Sequence, residues 1–264
     1  MNKILKGDCL ELMKDIPDGS IDMILCDLPY GTTACKWDTI IPFDLLWEKY
    51  DRVIKDNGAI VLTASQPFTS ALIMSNPKLF KYEWIWEKSS ASNFVHSKYQ
   101  PLKSHENILV FSKFPAAQNS AKRNMNYNPQ FTEGKTYNKG LVELSKIDVL
   151  SGGGKKPFRN QNTTGRRFPR SVQYFKTAES EGKYHPTQKP TWLFEYLIKT
   201  YTNEGDLVLD NCAGSFTTAI ASLNTNRNYI CMEQDETYFN IGKNRINQWH
   251  ESQKKLEVSQ KELF

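Results

Sequence analysis

Apolar positions recur along this chain in two rhythms, short unbroken runs and longer stretches at helical spacing. Ile21 to Asp27 (IDMILCD) is an apolar run ending in an acid and then Leu-Pro-Tyr-Gly, which reads as a buried strand emptying into a loop. Phe43 to Ile54 has helical spacing, and Asn57-Gly58 is expected to stop it before a strand over Ala59 to Thr63. Pro67 can open a helix running to about Ser75. Tyr82 to Glu87 (YEWIWE) and Asn107 to Phe111 (NILVF) suit neighbouring strands joined by a polar loop.

After residue 183 the alternation resumes. The pattern predicts helices near Thr191–Tyr201, Phe216–Leu223 and Tyr238–Trp249, interleaved with strands Leu207–Asp210 and Tyr229–Glu233. Strands alternating with helices predict a mostly parallel sheet covered on both faces.

Between 115 and 183 the character changes. Gly152-Gly153-Gly154, many Asn and Lys, and aromatics scattered among bases (Phe158, Arg159, Arg166, Arg167, Phe168, Arg170, Tyr174, Phe175) mark an insertion or second lobe. This stretch holds 13 Lys+Arg against 5 Asp+Glu, so the net charge of +5 for the 264 residues is a local basic block on a slightly acidic body. Such a block suits a polyanion-binding module, although a solvated Lys-rich loop would have the same composition.

Cys9, Cys26, Cys35, Cys212 and Cys231 are odd in number, with no Cys-x-x-Cys pair and no His at zinc-ligand spacing, so neither disulfides nor a metal are expected. No run approaches a membrane span, and the acids and glycine of MNKILKGDCLELMKD do not suit a signal peptide. The chain reads as a cytoplasmic protein.

Candidate chemistry lies at two strand ends. Asp206-Leu-Val-Leu-Asp-Asn-Cys-Ala-Gly-Ser-Phe-Thr-Thr has the layout of a strand, a tight turn and a helix start, where Gly214 admits close approach of a ligand and the first helical amides favour an electronegative group. Glu233 ends a strand 23 positions after Asp210, where doubly wound folds set an acid against ribose hydroxyls. By themselves these strings also suit an ordinary strand-turn-helix and a solvated acid. The dinucleotide pattern Gly-x-Gly-x-x-Gly is absent, which disfavours nicotinamide and flavin enzymes.

At the other strand end, Asp27-Leu28-Pro29-Tyr30 is similar to the Asp-Pro-Pro-Tyr motif of amino-methyltransferases. Leu209-Asp-Asn-Cys-Ala-Gly-Ser-Phe-Thr-Thr resembles their cofactor turn, Asp-Pro-Phe-x-Gly-Ser-Gly-Thr-Thr, and His185-Pro-Thr-Gln-Lys-Pro190 matches a further cofactor-side motif. The order of these elements, with Gly7-Asp8-Cys9-Leu10 and Asp18-Gly19-Ser20-Ile21-Asp22 at the start, resembles the permuted β group of DNA adenine-N6 methyltransferases. The likeness covers roughly 1–113 and 184–250. Residues 115–183 match by position only, where the family keeps its target-recognition region.

The resemblance implies a Rossmann-like methyltransferase fold, a three-layer αβα with a mostly parallel sheet and one antiparallel strand. It implies a discontinuous catalytic and cofactor-binding domain, 1–114 with 184–264, interrupted by a target-recognition insertion at 115–183. The implied activity is site-specific transfer of a methyl group from S-adenosylmethionine to the N6 amine of an adenine flipped out of double-stranded DNA. Asp27, Leu28, Pro29 and Tyr30 would be catalytic. Asp210, Gly214, Ser215, Thr217 and Thr218 would line the methionine side of the cofactor with Lys189 nearby, Glu233 would bind the ribose and Asp8 the adenine end. A homodimer and a cognate restriction endonuclease are partners that the family admits.

Two departures stand out. Leu28 replaces a proline but keeps its carbonyl oxygen, while Phe216 replaces a glycine and is expected to crowd the methionine part of the cofactor. Transfer to cytosine N4 uses the same chemistry, but that group more often carries Ser where Asp27 stands. Methylation of a protein glutamine amide goes with Asn-Pro-Pro-Tyr and an earlier cofactor turn, and both features disagree. A DNA-binding module that has lost catalysis, with Phe216 blocking the cofactor, is the reading from outside enzymology.

Overall fold

The computed structural model describes residues 2–32, 38–116, 124–142, 158–182, 184, 185 and 187–261. Cys35, the run Gly152-Gly153-Gly154, Lys183 and Pro186 lie outside the described residues. Packing divides the chain into two units, 1–128 with 171–264, and Pro129–Arg170.

The larger unit contains strands β1 (Lys3–Lys6), β2 (Ile21–Cys26), β3 (Ile54–Ala64), β4 (Phe80–Ser92), β5 (Lys103–Phe111), β10 (Val172–Phe175), β11 (Leu207–Asp210) and β12 (Asn228–Glu233). Its helices are α1 (Cys9–Leu12), α2 (Phe43–Val53), α3 (Phe68–Ser75), α4 (Thr191–Tyr201), α5 (Thr217–Asn224) and α6 (Glu236–Lys261). The eight strands form one sheet in the order β1-β12-β11-β2-β3-β5-β4-β10. Among the described residues of this sheet, β5 alone runs against the rest, pairing antiparallel with β3 and β4 while the other neighbours pair parallel. This is the Rossmann-like arrangement with one reversed strand.

The period-2 alternation of the central strands produces the layering. Ile24 and Cys26 of β2, Ile60 and Leu62 of β3 and Leu209 of β11 face one core, where α2 contributes Leu46, Trp47, Tyr50 and Val53. Met23, Leu25, Ala59, Val61 and Val208 face the other, against Leu193, Phe194, Leu197, Ile198 and Tyr201 of α4. Burial on both faces explains why IDMILC is apolar almost throughout.

β3 begins five residues before the expected Ala59, passing through Asn57-Gly58 instead of turning there. A Cβ at Gly58 would lie 2.8 Å from the Asp22 carbonyl oxygen and 2.7 Å from Ile54 Cδ1, so the glycine serves close strand packing. α6 continues past Trp249 through the charged tail to Lys261, an extension that the sequence pattern also allows. β1, only four residues and flanked by lysines, has no expected counterpart.

Within 115–183, Met125 is buried in the α4-side core and β10 pairs with β4. The Pro129–Arg170 unit holds two short antiparallel pairs, β6 (Thr132–Glu133) with β9 (Arg166–Arg167) and β7 (Tyr137–Val142) with β8 (Phe158–Asn162). Within it, Arg166 lies 4.4 Å over the Phe131 ring and Arg167 5.0 Å over Tyr137, so these two cations pack on aromatics of their own unit. Among the described residues no helix is long and apolar enough to cross a membrane.

Candidate active site

The carboxyl ends of β2, β11 and β12 share one edge of the sheet, and the loop after β1 joins them there. Open α/β sheets bind ligands at this edge. A cavity of about 650 Å³ lies there, within the range of small-molecule sites. Asp8, Asp27 to Tyr30, Lys189, Asp210, Gly214, Ser215, Thr217 and Glu233 all line it. Because β5 is reversed, Glu106 near its start reaches the same wall, with Lys88 of β4 beside it.

Asp27 follows the last residue of β2, and its carboxylate is held on both oxygens. Oδ1 accepts the Tyr30 hydroxyl at 2.8 Å and a hydrogen bond from Thr63 Oγ1, while Oδ2 accepts Lys189 Nζ at 2.6 Å. Tyr30 stacks on Phe68, with ring centroids 5.1 Å apart. Burial, then the neighbouring charges of Asp27 and Glu106, push its hydroxyl well above the ordinary tyrosine range. The loop beyond turns at Gly31, φ 66°, and is tied down by Asp38, whose carboxylate accepts the Gly31 and Thr32 amides at 2.9 Å each. Leu28 buries its side chain in the α2-side core while also lining the cavity.

Lys189 is 6% exposed and stands between two acids, with Nζ 3.4 Å from Glu106 Oε2 on the side away from Asp27. Burial disfavours its charge, but Asp27 and Glu106 outweigh that and raise its pKa. Burial likewise works against the Glu106 carboxylate, yet Lys189 and Lys88 hold its pKa below the usual value. Lys88 forms an ion pair with Glu106 Oε1. Lys88, Glu106, Lys189 and Asp27 thus make a row of alternating charge along the wall.

At the far end, Asp210 is 2% exposed, and burial pushes its carboxyl up to about 7 despite hydrogen bonds from Thr218 Oγ1 and the Cys212 amide. Glu233 accepts the amides of Gly214 and Asp235 at 2.8 Å each, and burial raises its pKa as well. Asp8 caps α1, accepting the Leu10 amide at 2.7 Å. Ser215 Oγ donates to Gln188 Oε1 at 3.4 Å, and Gln188 Nε2 is buried without a hydrogen-bond partner among the described residues.

Two residues differ from expectation. Thr218 is fully buried behind Asp210 and holds its Oδ2, away from the cavity wall. Phe216 adopts a left-handed backbone, φ 60°, and its fully buried ring turns into the core against Phe239, with centroids 5.7 Å apart. The crowding expected of it is absent because that backbone aims the ring at Gly242 and Ile246, opposite the cavity. Sequence reasoning missed Thr63, Glu106 and Lys88, and it quoted Gln188 only within the His185–Pro190 motif. An acid heading the apolar run ENILVF was the available signal for Glu106.

The donor set fits S-adenosylmethionine. Glu233 and Asp8 offer acceptors to hydroxyl and amine groups, Gly214 admits close backbone approach, and Gln188 Nε2 is a buried donor that lacks an acceptor among the described residues.

Comparison with known proteins places the chain in a family. The DNA adenine methyltransferase YhdJ of Escherichia coli (strain K12) is 30% identical over 258 residues, covering 92% of this chain and 82% of that protein. The structure of the M1.HpyAVI-SAM complex superposes with a TM-score of 0.61 at 23% identity, covering 94% of this chain and all of that one. PvuII DNA methyltransferase (cytosine-N4-specific) superposes at 0.64 with 17% identity, covering 91% and 84%. At these identities the two structures establish a shared fold. The N6_N4_Mtase model, DNA methylase, matches residues 21–244, and the chain therefore belongs to that family of DNA methylases.

Proposed function

We propose that this protein transfers a methyl group from S-adenosylmethionine to the exocyclic N6 amine of an adenine rotated out of duplex DNA. The observation that carries the proposal is one cavity joining the Asp27–Tyr30 loop to the Gly214 turn and Glu233. When bound, the cofactor supplies a methyl carbon made electrophilic by its sulfonium.

The protein's own work is orientation and charge. The amine nitrogen of adenine is conjugated with its ring and is a weak nucleophile. Asp27 Oδ2 and the Leu28 carbonyl would each accept one amine hydrogen, localising the lone pair and stabilising the positive charge that develops on nitrogen. Tyr30 would stack on the extruded base, helping to offset an unstacking cost of a few kcal/mol. Gln188 Nε2 would donate to the methionine carboxylate and Glu233 would accept ribose hydroxyls. Ser215, Thr217 and Asp210 would line the methionine side, with Asp8 at the adenine end.

The basic stretch 115–183 would grip phosphates and read base edges in the groove. A homodimer and a cognate restriction endonuclease extend the same proposal to partners, testable by light scattering and by co-purification.

Incubation with labelled S-adenosylmethionine and duplex DNA, followed by nucleoside mass analysis, tests the reading. N6-methyladenine is expected, and its loss in Asp27→Ala. N4-methylcytosine would overturn the choice of base, and retained DNA binding without cofactor binding would favour an inactive module. The burial of the Phe216 ring against Phe239 speaks against that last reading.

A further inference from the structure

The row Lys88, Glu106, Lys189, Asp27 has a use that the chemistry so far has not required. Asp27 Oδ1 is committed to Tyr30 and Thr63, so an arriving amine must be received at Oδ2, where Lys189 Nζ already sits at 2.6 Å. An ammonium left there would compete for the acceptor and oppose positive charge developing on the amine. On its other side Nζ faces Glu106 Oε2 at 3.4 Å, a buried oxygen with no hydrogen-bond partner among the described residues. Lys88 pairs with the other oxygen, Oε1, and holds that carboxylate in place. Trp86 and Glu106 are register partners across β4 and β5, which places Lys88, two residues on, diagonally beside Glu106 where the register begins to shift.

We propose that Glu106 is a positioning residue that takes Lys189 over from Asp27 when the target amine arrives, freeing Oδ2 as an acceptor. The hand-over needs only a small swing of Nζ between two oxygens it already touches or nearly touches. It also conserves the local charge, since the lysine stays paired throughout. The orphaned Glu106 oxygen then has a purpose: it is the second resting place of the ammonium. This inference rests on the methyl-transfer reading above.

The test is a double-mutant cycle in single-turnover methylation of duplex DNA, with binding of S-adenosylmethionine and of DNA measured alongside. Glu106→Gln is expected to slow transfer by roughly tenfold or more with both affinities within about twofold of the parent, an effect on the order of one removed charge interaction made only during the reaction. In a Lys189→Met background, where nothing has to move, the same Glu106→Gln change should cost less than about twofold. An unchanged rate in the single variant, or equal losses in both backgrounds, overturns the hand-over.

If Glu106→Gln does not fold, Lys88→Gln carries the test. Without the ion pair that holds its carboxylate in place, Glu106 should receive Lys189 less well and the single-turnover rate should fall, but by less than about twofold in a Lys189→Met background, whereas equal falls in both backgrounds would overturn the proposal. Wild-type protein that methylates no DNA would instead overturn the function itself, so the two failures are distinguishable.

Discussion

Lys189 Nζ lies 2.6 Å from Asp27 Oδ2, joining residues 162 positions apart. That bond ties the loop leading into α4 to the carboxyl end of β2, and it places a cation on the acid proposed to receive the target amine.

Asp27→Asn should abolish most methyl transfer while leaving cofactor binding near normal. The amide can accept at only one atom and turns a donor toward Lys189 or the amine. A loss of about 10²–10³ in kcat is expected, the scale seen when one group that stabilises transition-state charge is removed. Single-turnover label transfer together with titration calorimetry would check it.

Tyr30 contributes a ring and a hydroxyl, and the two can be separated. Tyr30→Phe removes the 2.8 Å bond to Asp27 but keeps the stack on Phe68, so a loss of a few-fold is expected. Tyr30→Ala removes both. It should weaken the flipped state by about 1–3 kcal/mol, read as reduced 2-aminopurine fluorescence at the target position.

Asp210 should give the fold a pH signature. Burial raises its pKa from 3.8 to about 7, so between those values the folded protein holds a proton that the unfolded chain has released. Its stabilising contribution is complete below about pH 4 and is lost as pH rises through about 7. Asp210→Asn should remove that fall, with a ceiling of about 4 kcal/mol at about 1.36 kcal/mol per pKa unit. Urea midpoints measured from pH 4 to 8 for both proteins would show the slope vanish.

Phe216 should matter to stability and hardly at all to the cofactor. Its ring is fully buried against Phe239, so Phe216→Ala is expected to cost about 3–5 kcal/mol. From the opposite side, Gly242→Ala would put a Cβ 2.5 Å from Phe216 Cγ and cost about 1–3 kcal/mol. Thermal melts should fall in both, while affinity for S-adenosylmethionine stays within about twofold. A large loss of affinity without a lower melting temperature would contradict the inward orientation.

What could be read in advance depended on how far apart the interacting parts lie. The central strands and α4 were legible because burial on both faces leaves unbroken apolar runs, and helical burial leaves its own spacing. Asp27 and Tyr30 were legible because a four-residue loop carries both. Lys189 could be placed near the cofactor by motif, but its bond to Asp27 depends on the folded position of the loop before α4. Glu106 was passed over because an acid heading a strand is a weak signal until reversal of β5 carries it to the same edge as Asp27. Phe216 misled for a similar reason, since one backbone dihedral, φ 60°, decides which way its ring points.

The chain leaves the main unit just after Asn128, whose amide donates to the Thr200 carbonyl at 2.6 Å, and re-enters at Ser171, whose carbonyl accepts the Ile85 amide at 2.8 Å. Each of these pins is a backbone bond made within the catalytic body, so neither depends on which side chains fill the 42 residues between them. Selection can therefore rewrite that stretch, or exchange it whole, without disturbing the apparatus that moves the methyl group. If that stretch reads bases as proposed, a scaffold fastened in this way would acquire new DNA addresses faster than new chemistry.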